Sequence, residues 1–456
     1  MSTVDTTQWP SPTGVAAVLE DALRSAGSPS GAAGRPPLTY LRRKPGRGLV
    51  AVYGTAGRAG SMYTVSVDES AMAGGSAVDA AAPGTWSSED KDLFEAPALG
   101  LTIERFPHDA RLAHLATAMA PAESGPVWQA LESAVGRPLR AVDAAPVRYK
   151  PGDRCVIRYV LEAEAEGGSG EQERHTVVGK LYGDLEQARA AAHLMQSLWD
   201  LQGEQPWAPR PLAVADPVPL VLAEDLGSRH SDPATLPGTD VIRFGPRQPT
   251  EALRRAAQAL ADLHTSAATL PAGPVRTGPD EAAKAAKRAT TLGGYAPELA
   301  EDAARVAQSI GHALTGMACG RLMSSHGSYK PSQLLFRSDS VFVIDFDQFC
   351  EADGALDVGY FLAYLRPPGL WYRRAGTRAW FDEAAATFLA AYDTRLAERG
   401  VDAETRSGIQ RRSHVYEAAL LLKIAARRAN RLHSPRPGEV RALLDEMSAC
   451  LATAGS

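Results

Sequence analysis

The stretch "HGSYKPSQLLF", His326 to Phe336, and "VFVIDFDQF", Val341 to Phe349, decide how this chain is read. Two short apolar runs, "LLF" and "VFVI", flank "RSDS" and have the length and content of strands joined by a turn. His326, Ser328, Lys330 and Gln333 precede the first run, and Asp345 and Asp347 follow the second. A polar loop and two carboxylates therefore flank one hairpin. Eight lysines stand among 48 Lys and Arg, so the placing of each lysine is informative, and one of them is Lys330.

Outward from that hairpin, composition sets bounds. At 456 residues, two or three domains are expected. Hydrophobic content of 45% and charged content of 22% are those of a folded soluble protein. A net charge of −5 gives no basic footprint, so nucleic acid is not the expected partner. No apolar run is long enough to span a membrane. The start, "MSTVDTTQWPSPTG", has neither a basic nor an apolar signal region, so a cytoplasmic location is expected. Cys155, Cys319, Cys350 and Cys450 lack metal-ligand spacing and read as free thiols.

Residues 11–26 show a helical pattern (Val15, Leu19, Leu23), broken by the small-residue joint Gly27–Pro37. "LTYLRR" and "GLVAVYG" flank the turn "KPGR" as a hairpin, "MYTVSVD" adds a strand, and Ala71–Glu89 reads as a long loop. "LTIERF" is a further strand, followed by helices near Asp109–Met119 and Pro126–Val135. The pattern changes near Leu139. "VRY", "RCVIRYVLEAE" and "RHTVVGKLYG" read as antiparallel strands, then a helix spans about Leu185–Trp199, then "PLAV" and "LVLAEDLG" return to strand. From Thr250 the chain is mostly helical, the hairpin at Leu334–Val343 excepted. The domains read as 1–138 (α/β cap), 139–228 (β-rich lobe) and 229–456 (helical lobe).

"VVGKLY", "LVLAEDLG", "ALADLH", "HGSYKPSQLLF", "VIDFDQF" and "ALDVGYFLAYL" follow one another in an order that resembles the aminoglycoside phosphotransferase-like branch of the kinases. That branch includes choline kinases and maltokinase-like sugar kinases. The resemblance covers residues from about 140 onward. It implies an α+β, bilobal protein kinase-like fold, here with an N-terminal α/β cap domain, and it implies ATP and Mg²⁺ as cofactors.

Residue by residue, the resemblance gives Lys180 the role of holding the α/β-phosphates; a strand-edge lysine reaching for water is the plain alternative. Its carboxylate partner stays open: Glu186 is the only acid inside the next helix, but lies near its start. No G-x-G-x-x-G is present, and the matching turn is "RYKPGDR", where Lys150 or Arg154 is a phosphate contact or part of an ordinary Pro-Gly turn. Glu224, in "LAEDL", lies at the hinge whose backbone would meet adenine. The catalytic loop pattern H-x-D-x-x-x-x-N becomes His326-Gly-Ser328-Tyr-Lys330-Pro-Ser-Gln333. Gln333 and Asp345 would ligate Mg²⁺, with Asp347 as second ligand or displaced base, and Lys330 would face the γ-phosphate. His326 and Asp357 would support the loop, Asp357 otherwise being an ordinary helix cap. His264, Tyr360, Phe361 and Tyr364 read as packing residues.

Ser328 departs from the pattern, because a hydroxyl cannot accept a proton at neutral pH as a carboxylate does. Two functions follow. One is a slow ATP-dependent phosphotransferase acting on a small hydroxylated acceptor, a sugar or aminoglycoside-like metabolite. The other is a nucleotide-binding pseudokinase that regulates a protein or peptide partner, a peptide-modifying assembly included.

Overall fold

Strict alternation in "RCVIRYVLEAE" sends Cys155, Ile157, Tyr159, Leu161 and Ala163 to one face of a strand, all of them fully buried. That strand anchors one of two units into which contacts divide the computed structural model. The first unit is Met1–Ala192, Pro211–Asp225 and Asn430–Ser434; the second is His193–Arg210, Leu226–Ala429 and Pro435–Ser456. The structure describes residues 19, 37–44, 48–54, 62–68, 87–90, 93–96, 100–164, 172–201, 207–227, 235–266, 270–317, 320–430 and 437–455. The expected joint at Gly27–Pro36, the turn at 45–47 and residues 71–86 of the expected loop lie outside these. So does the expected helix at 11–26, except Leu19, which is helical and buried.

The first unit opens with β1 (Leu38–Lys44), β2 (Gly48–Tyr53), β3 (Tyr63–Val67), β4 (Ser87–Asp90), β5 (Leu93–Ala96) and β6 (Leu101–Arg105). They form an antiparallel sheet of order β1-β2-β3-β6-β5-β4, with β1 and β2 registered Lys44↔Gly48 as the hairpin reading expects. Residues 87–89, read as loop, belong to β4. Helix α1 is shorter than expected, Leu115–Met119, because residues 107–114 form turns. Helix α2 runs Pro126–Val135 and ends on Gly136 in the left-handed region (φ +76°), where glycine carries no Cβ penalty.

A second sheet follows: β7 (Leu139–Lys150), β8 (Arg154–Glu164), β9 (Gln172–Leu181), β10 (Pro211–Val214) and β11 (Leu220–Glu224), in the order β10-β11-β9-β8-β7. Helix α3, Leu185–Asp200, follows β9. One core joins both sheets through α1 and α2: Val52, Met62 and Phe106 cluster with Leu115, Trp128, Leu131, Ile157, Tyr159 and Leu222. Gly179 makes room for Tyr159, since a Cβ there would stand 2.7 Å from its ring. Tyr159 Oη, buried among apolar groups, donates to Ala118 O of α1 at 2.8 Å.

The second unit is helical: α4 (Gly238–Val241), α5 (Thr250–His264), α6 (Gly278–Tyr295), α7 (Ala300–Gly316), α8 (Ala355–Leu365), α9 (Thr377–Glu398), α10 (Ala403–Ala429) and α11 (Pro437–Gly455). Two small sheets are set among them. One has β12 (Thr235–Pro237), β15 (Leu334–Arg337) and β16 (Ser340–Val343); the other has β13 (Val275–Arg276), β14 (Leu322–Ser325) and β17 (Cys350–Asp353). Helix α8 is buried almost all round, and Phe361 stacks on Phe388 of α9 at 3.9 Å between centroids. Among the described residues, no helix is long and apolar enough to cross a membrane. The architecture is α+β and kinase-like, a β-rich lobe and a helical lobe with an additional N-terminal sheet.

Candidate active site

The polar loop 326–333 joins β14 to β15, and its backbone is tied down from three sides. Asp357, fully buried in the first turn of α8, accepts from Gly327 N (Oδ2, 3.3 Å) and Tyr329 N (Oδ1, 3.3 Å). His264 Nε2 stands 3.5 Å from Asp357 Oδ2, and His264 Nδ1 lies 2.6 Å from Tyr392 Oη. Burial pushes the Asp357 carboxyl up, but His264, His326 and the Tyr329 N–H outweigh it and hold the group below its ordinary value. Asp357 is therefore a buried carboxylate with its hydrogen bonds made, as such groups need. Gly327 adopts φ +70°, and a Cβ there would meet Gln348 O at 2.0 Å, so only glycine fits this corner.

His326 is fully buried, which drives its imidazole below its ordinary pKa despite Asp357. The neutral ring has one N–H. Nε2 lies 3.1 Å from Ile344 O, a partner that can only accept, so the proton sits there. Nδ1 is left to accept, and Ser328 Oγ stands 3.3 Å from it. The Ser328 hydroxyl thus donates inward to His326 and keeps its lone pairs for a donor arriving from outside.

The hairpin of β15 and β16 extends by one rung, Ile344 N to Gln333 O at 2.9 Å. That rung brings Gln333 beside Asp345: Gln333 Nε2 donates to Asp345 Oδ2 at 2.9 Å. Asp345 has φ +68°, a conformation non-glycine residues seldom adopt. Asp345 and Asp347 are both half-buried. Among the described residues no group of three or more His, Cys, Asp or Glu converges as a metal cage. Mg²⁺ does not require one, since it takes one or two carboxylates and fills its shell with phosphate oxygens and water. Asp345 and the amide oxygen of the adjacent Gln333 are hard donors of the kind it takes. Lys330 Nζ lies 5.6 Å from the Tyr364 ring centroid.

In the first unit, Lys180 sits on the central strand β9, opposite Val156 of β8 and Val221 of β11. Its neighbours Val177, Gly179 and Leu181 are buried, so alternation turns Lys180 to the other, more open face, where Nζ stands 5.3 Å from the Tyr182 ring centroid. Glu186 is exposed in the first turn of α3, a position a helix N-terminus favours for any carboxylate. Glu224 ends β11, half-buried; its neighbour Asp225 pairs with Arg158 Nε at 2.7 Å. Lys150 is 3.9 Å from Asp153 across the β7–β8 turn.

Sequence reading passed over two features. Asp109, buried, accepts from Tyr149 Oη (2.7 Å) and Gly152 N (2.8 Å), and so fastens the β7–β8 turn; nothing in "FPHDARL" signals this. Lys423 and Arg288, with Arg276 and Arg427, gather near the loop. Their one sequence cue is a lysine inside the apolar run "ALLLKIAA".

The model of the "Phosphotransferase enzyme family" matches residues 171–404, more than half of the chain and the part that holds Lys180, the loop and Asp345. The chain belongs to that family. Strands β7 and β8 and the N-terminal sheet lie outside the match. No curated protein matches this phosphotransferase. Among solved structures it is similar to a glucosamine kinase (16% identity, 96% of each chain, TM-score 0.44). It is also similar to a choline/ethanolamine kinase family protein from Mesorhizobium loti (15%, 66% of this chain and 85% of that one, TM-score 0.38). A third is an ADP-bound aminoglycoside phosphotransferase (11%, 72% and 96%, TM-score 0.42).

Proposed function

We propose that this phosphotransferase moves the γ-phosphoryl group of ATP to a hydroxyl of a small metabolite in the cytoplasm. The observation that carries the reading is the assembled loop: Gln333 against Asp345 at 2.9 Å, with His326 and Asp357 fixing the backbone around Ser328. Lys180 binds the α/β-phosphates with Glu186, the acid inside the next helix, as its candidate partner, Glu224 lies at the adenine hinge, and Lys150 sits in the turn that would contact phosphate. Asp345, Gln333 and Asp347 would hold Mg²⁺, whose charge offsets that of the phosphates during transfer. Lys330 faces the γ-phosphate. Ser328 accepts a hydrogen bond from the acceptor hydroxyl and passes its own to His326 Nδ1, which orients the nucleophile without removing its proton early. Phosphoryl transfer depends mainly on position and charge, so such a site turns over slowly. Residues 1–138, 139–228 and 229–456 serve in this reading as cap, nucleotide lobe and acceptor lobe.

Ser328 itself favours a second reading, a nucleotide-binding pseudokinase acting on a protein or peptide partner. One experiment bears on both. Mg-ATP at one hundred times Kd should stabilise the protein by about 2.7 kcal/mol, and Lys180→Met and Asp345→Asn should each reduce that shift. ATP consumption over hours then separates them: turnover supports the kinase, and binding without turnover supports the pseudokinase. An unchanged melting temperature in millimolar Mg-ATP removes both.

A further inference from the structure

Five cations from four elements of the second unit surround two tyrosines. Arg276 lies on β13, Arg288 on α6, Lys330 in the loop, and Lys423 and Arg427 on α10. Tyr360 and Tyr364 of α8 are parallel, their centroids 6.3 Å apart. Lys423 Nζ donates to Tyr360 Oη at 2.6 Å, and Arg427 Nη1 to Tyr364 Oη at 3.2 Å. Glu281, buried, bonds Arg276 and Lys284, each at 2.6 Å, and stands 4.0 Å from Arg288. Among the described residues, no carboxylate lies within ion-pairing distance of Lys423 or Arg427.

Like charges gathered at a half-buried site repel and are less well solvated than in open water. Lys423 registers both effects: burial, then Arg427, Arg288, Lys330 and Arg276, push its ammonium down to about 6. A protein gains nothing from such an excess while the site is empty of anions. The cluster also adjoins the loop, because Arg276 Nη1 donates to Gly327 O at 2.9 Å, one residue before Ser328, and Lys330 is itself a loop residue.

We propose that the acceptor carries an anionic group, a phosphate or a carboxylate, seated against Lys423, Arg427 and Arg288 beside the Tyr360–Tyr364 pair. The inference rests on the phosphotransferase reading for the hydroxyl that is phosphorylated; the anion site stands on the cations alone. A polycationic amino sugar is disfavoured beside Arg427 and Arg288, whereas an anion draws the proton back onto Lys423, so the acceptor is an acidic hydroxyl compound and not an aminoglycoside.

Calorimetric titration of the full-length protein with inorganic phosphate, free of Mg²⁺ and at constant ionic strength, tests the site. Saturable binding is expected in the wild type. It should weaken at least tenfold in Lys423→Met and several-fold in Arg427→Gln, whose exposed position makes misfolding no explanation. Arg305→Gln, exposed on α7, should bind as the wild type does. Lys180→Met should keep phosphate binding while losing ADP, which separates the two sites. A flat phosphate titration, or one that Lys423→Met and Arg427→Gln both leave unchanged, overturns the proposal even where ADP still binds. Phosphate binding in a protein that ignores ADP would instead remove the phosphotransferase reading and leave the anion site standing. In a transfer assay, glucose 6-phosphate or gluconate should compete better than glucose or glucosamine; preference for glucosamine overturns the acceptor class.

Discussion

Asp357, fully buried, and Lys423, half-buried, are ionisable groups on two adjacent helices of the same unit, and they are treated in opposite ways. The carboxylate of Asp357 receives two backbone N–H groups and faces His264, so its charge is stabilised in place. The amine of Lys423 donates to one tyrosine hydroxyl and faces four cationic neighbours, so its charge is suppressed. A matched buried charge holds a loop in shape. An unmatched one gives up its proton, and an anionic ligand would restore it. The difference separates scaffold from binding surface within a few turns of helix, and three substitutions test it, beginning with the largest effect.

Asp357→Ala removes the acceptor of Gly327 N, Tyr329 N and His264 and leaves buried donors unpaired. The expected loss is about 3 kcal/mol or more of stability, measured by urea unfolding at neutral pH. The folded carboxyl lies below its ordinary value of 3.8, so its contribution is present above that value and is lost as pH falls through the folded pKa. The gap between wild type and variant should therefore be constant down to about pH 4 and close below it. A gap of a few tenths of a kcal/mol would mean that the loop is held by its hairpin alone.

Ser328→Asp puts a carboxylate where the wild type has a hydroxyl. His326 Nδ1 is already committed as an acceptor, so the new carboxylate finds no donor there and turns toward the acceptor hydroxyl. In a kinase limited by a missing base, single-turnover ATP consumption should rise by up to roughly 10²-fold. Turnover present in the wild type and lost in both Ser328→Asp and Ser328→Ala would instead make the hydroxyl a working group whose donated hydrogen bond to His326 matters.

Much of this contrast was legible in the sequence, and the remainder was not for a physical reason. Alternation in "RCVIRYVLEAE" and the order of six short motifs indicate the fold, because local periodicity fixes which face of each element is buried. The hairpin around "LLF" and "VFVI" likewise predicts that Gln333 and Asp345 emerge side by side. Pairings between distant elements leave no such trace. Asp109 meets Tyr149 and Gly152 across 40 and 43 residues, and no cap or spacing announces it. The five cations come from residues 276 to 427, so their meeting around Tyr360 is a property of helix packing alone. The change of pattern near Leu139 marks where one sheet gives way to another, while the two sheets share a core that contains Leu139 itself.

Lys423→Met is the smallest effect and runs against the usual direction. Replacing a buried lysine normally deletes an interaction; here it deletes a repulsion while keeping the apolar stem that packs in α10. The folded ammonium titrates at about 6 against an ordinary 10.5. Below 10.5 the unfolded chain takes up a proton that the folded chain refuses, so the lysine costs stability increasingly as pH falls from about 10.5 to about 6, and the cost is level below that. The variant should consequently be the more stable protein, by at least about 1 kcal/mol at pH 6.5, with the advantage shrinking as unfolding is repeated at pH 8.5 and pH 10. Inorganic phosphate adds a second check, because it should stabilise the wild type more than the variant and so narrow the gap at pH 6.5. A variant less stable than the wild type at every pH would show that Lys423 is matched within the fold after all, and Lys423 and Asp357 would then belong to one kind of site.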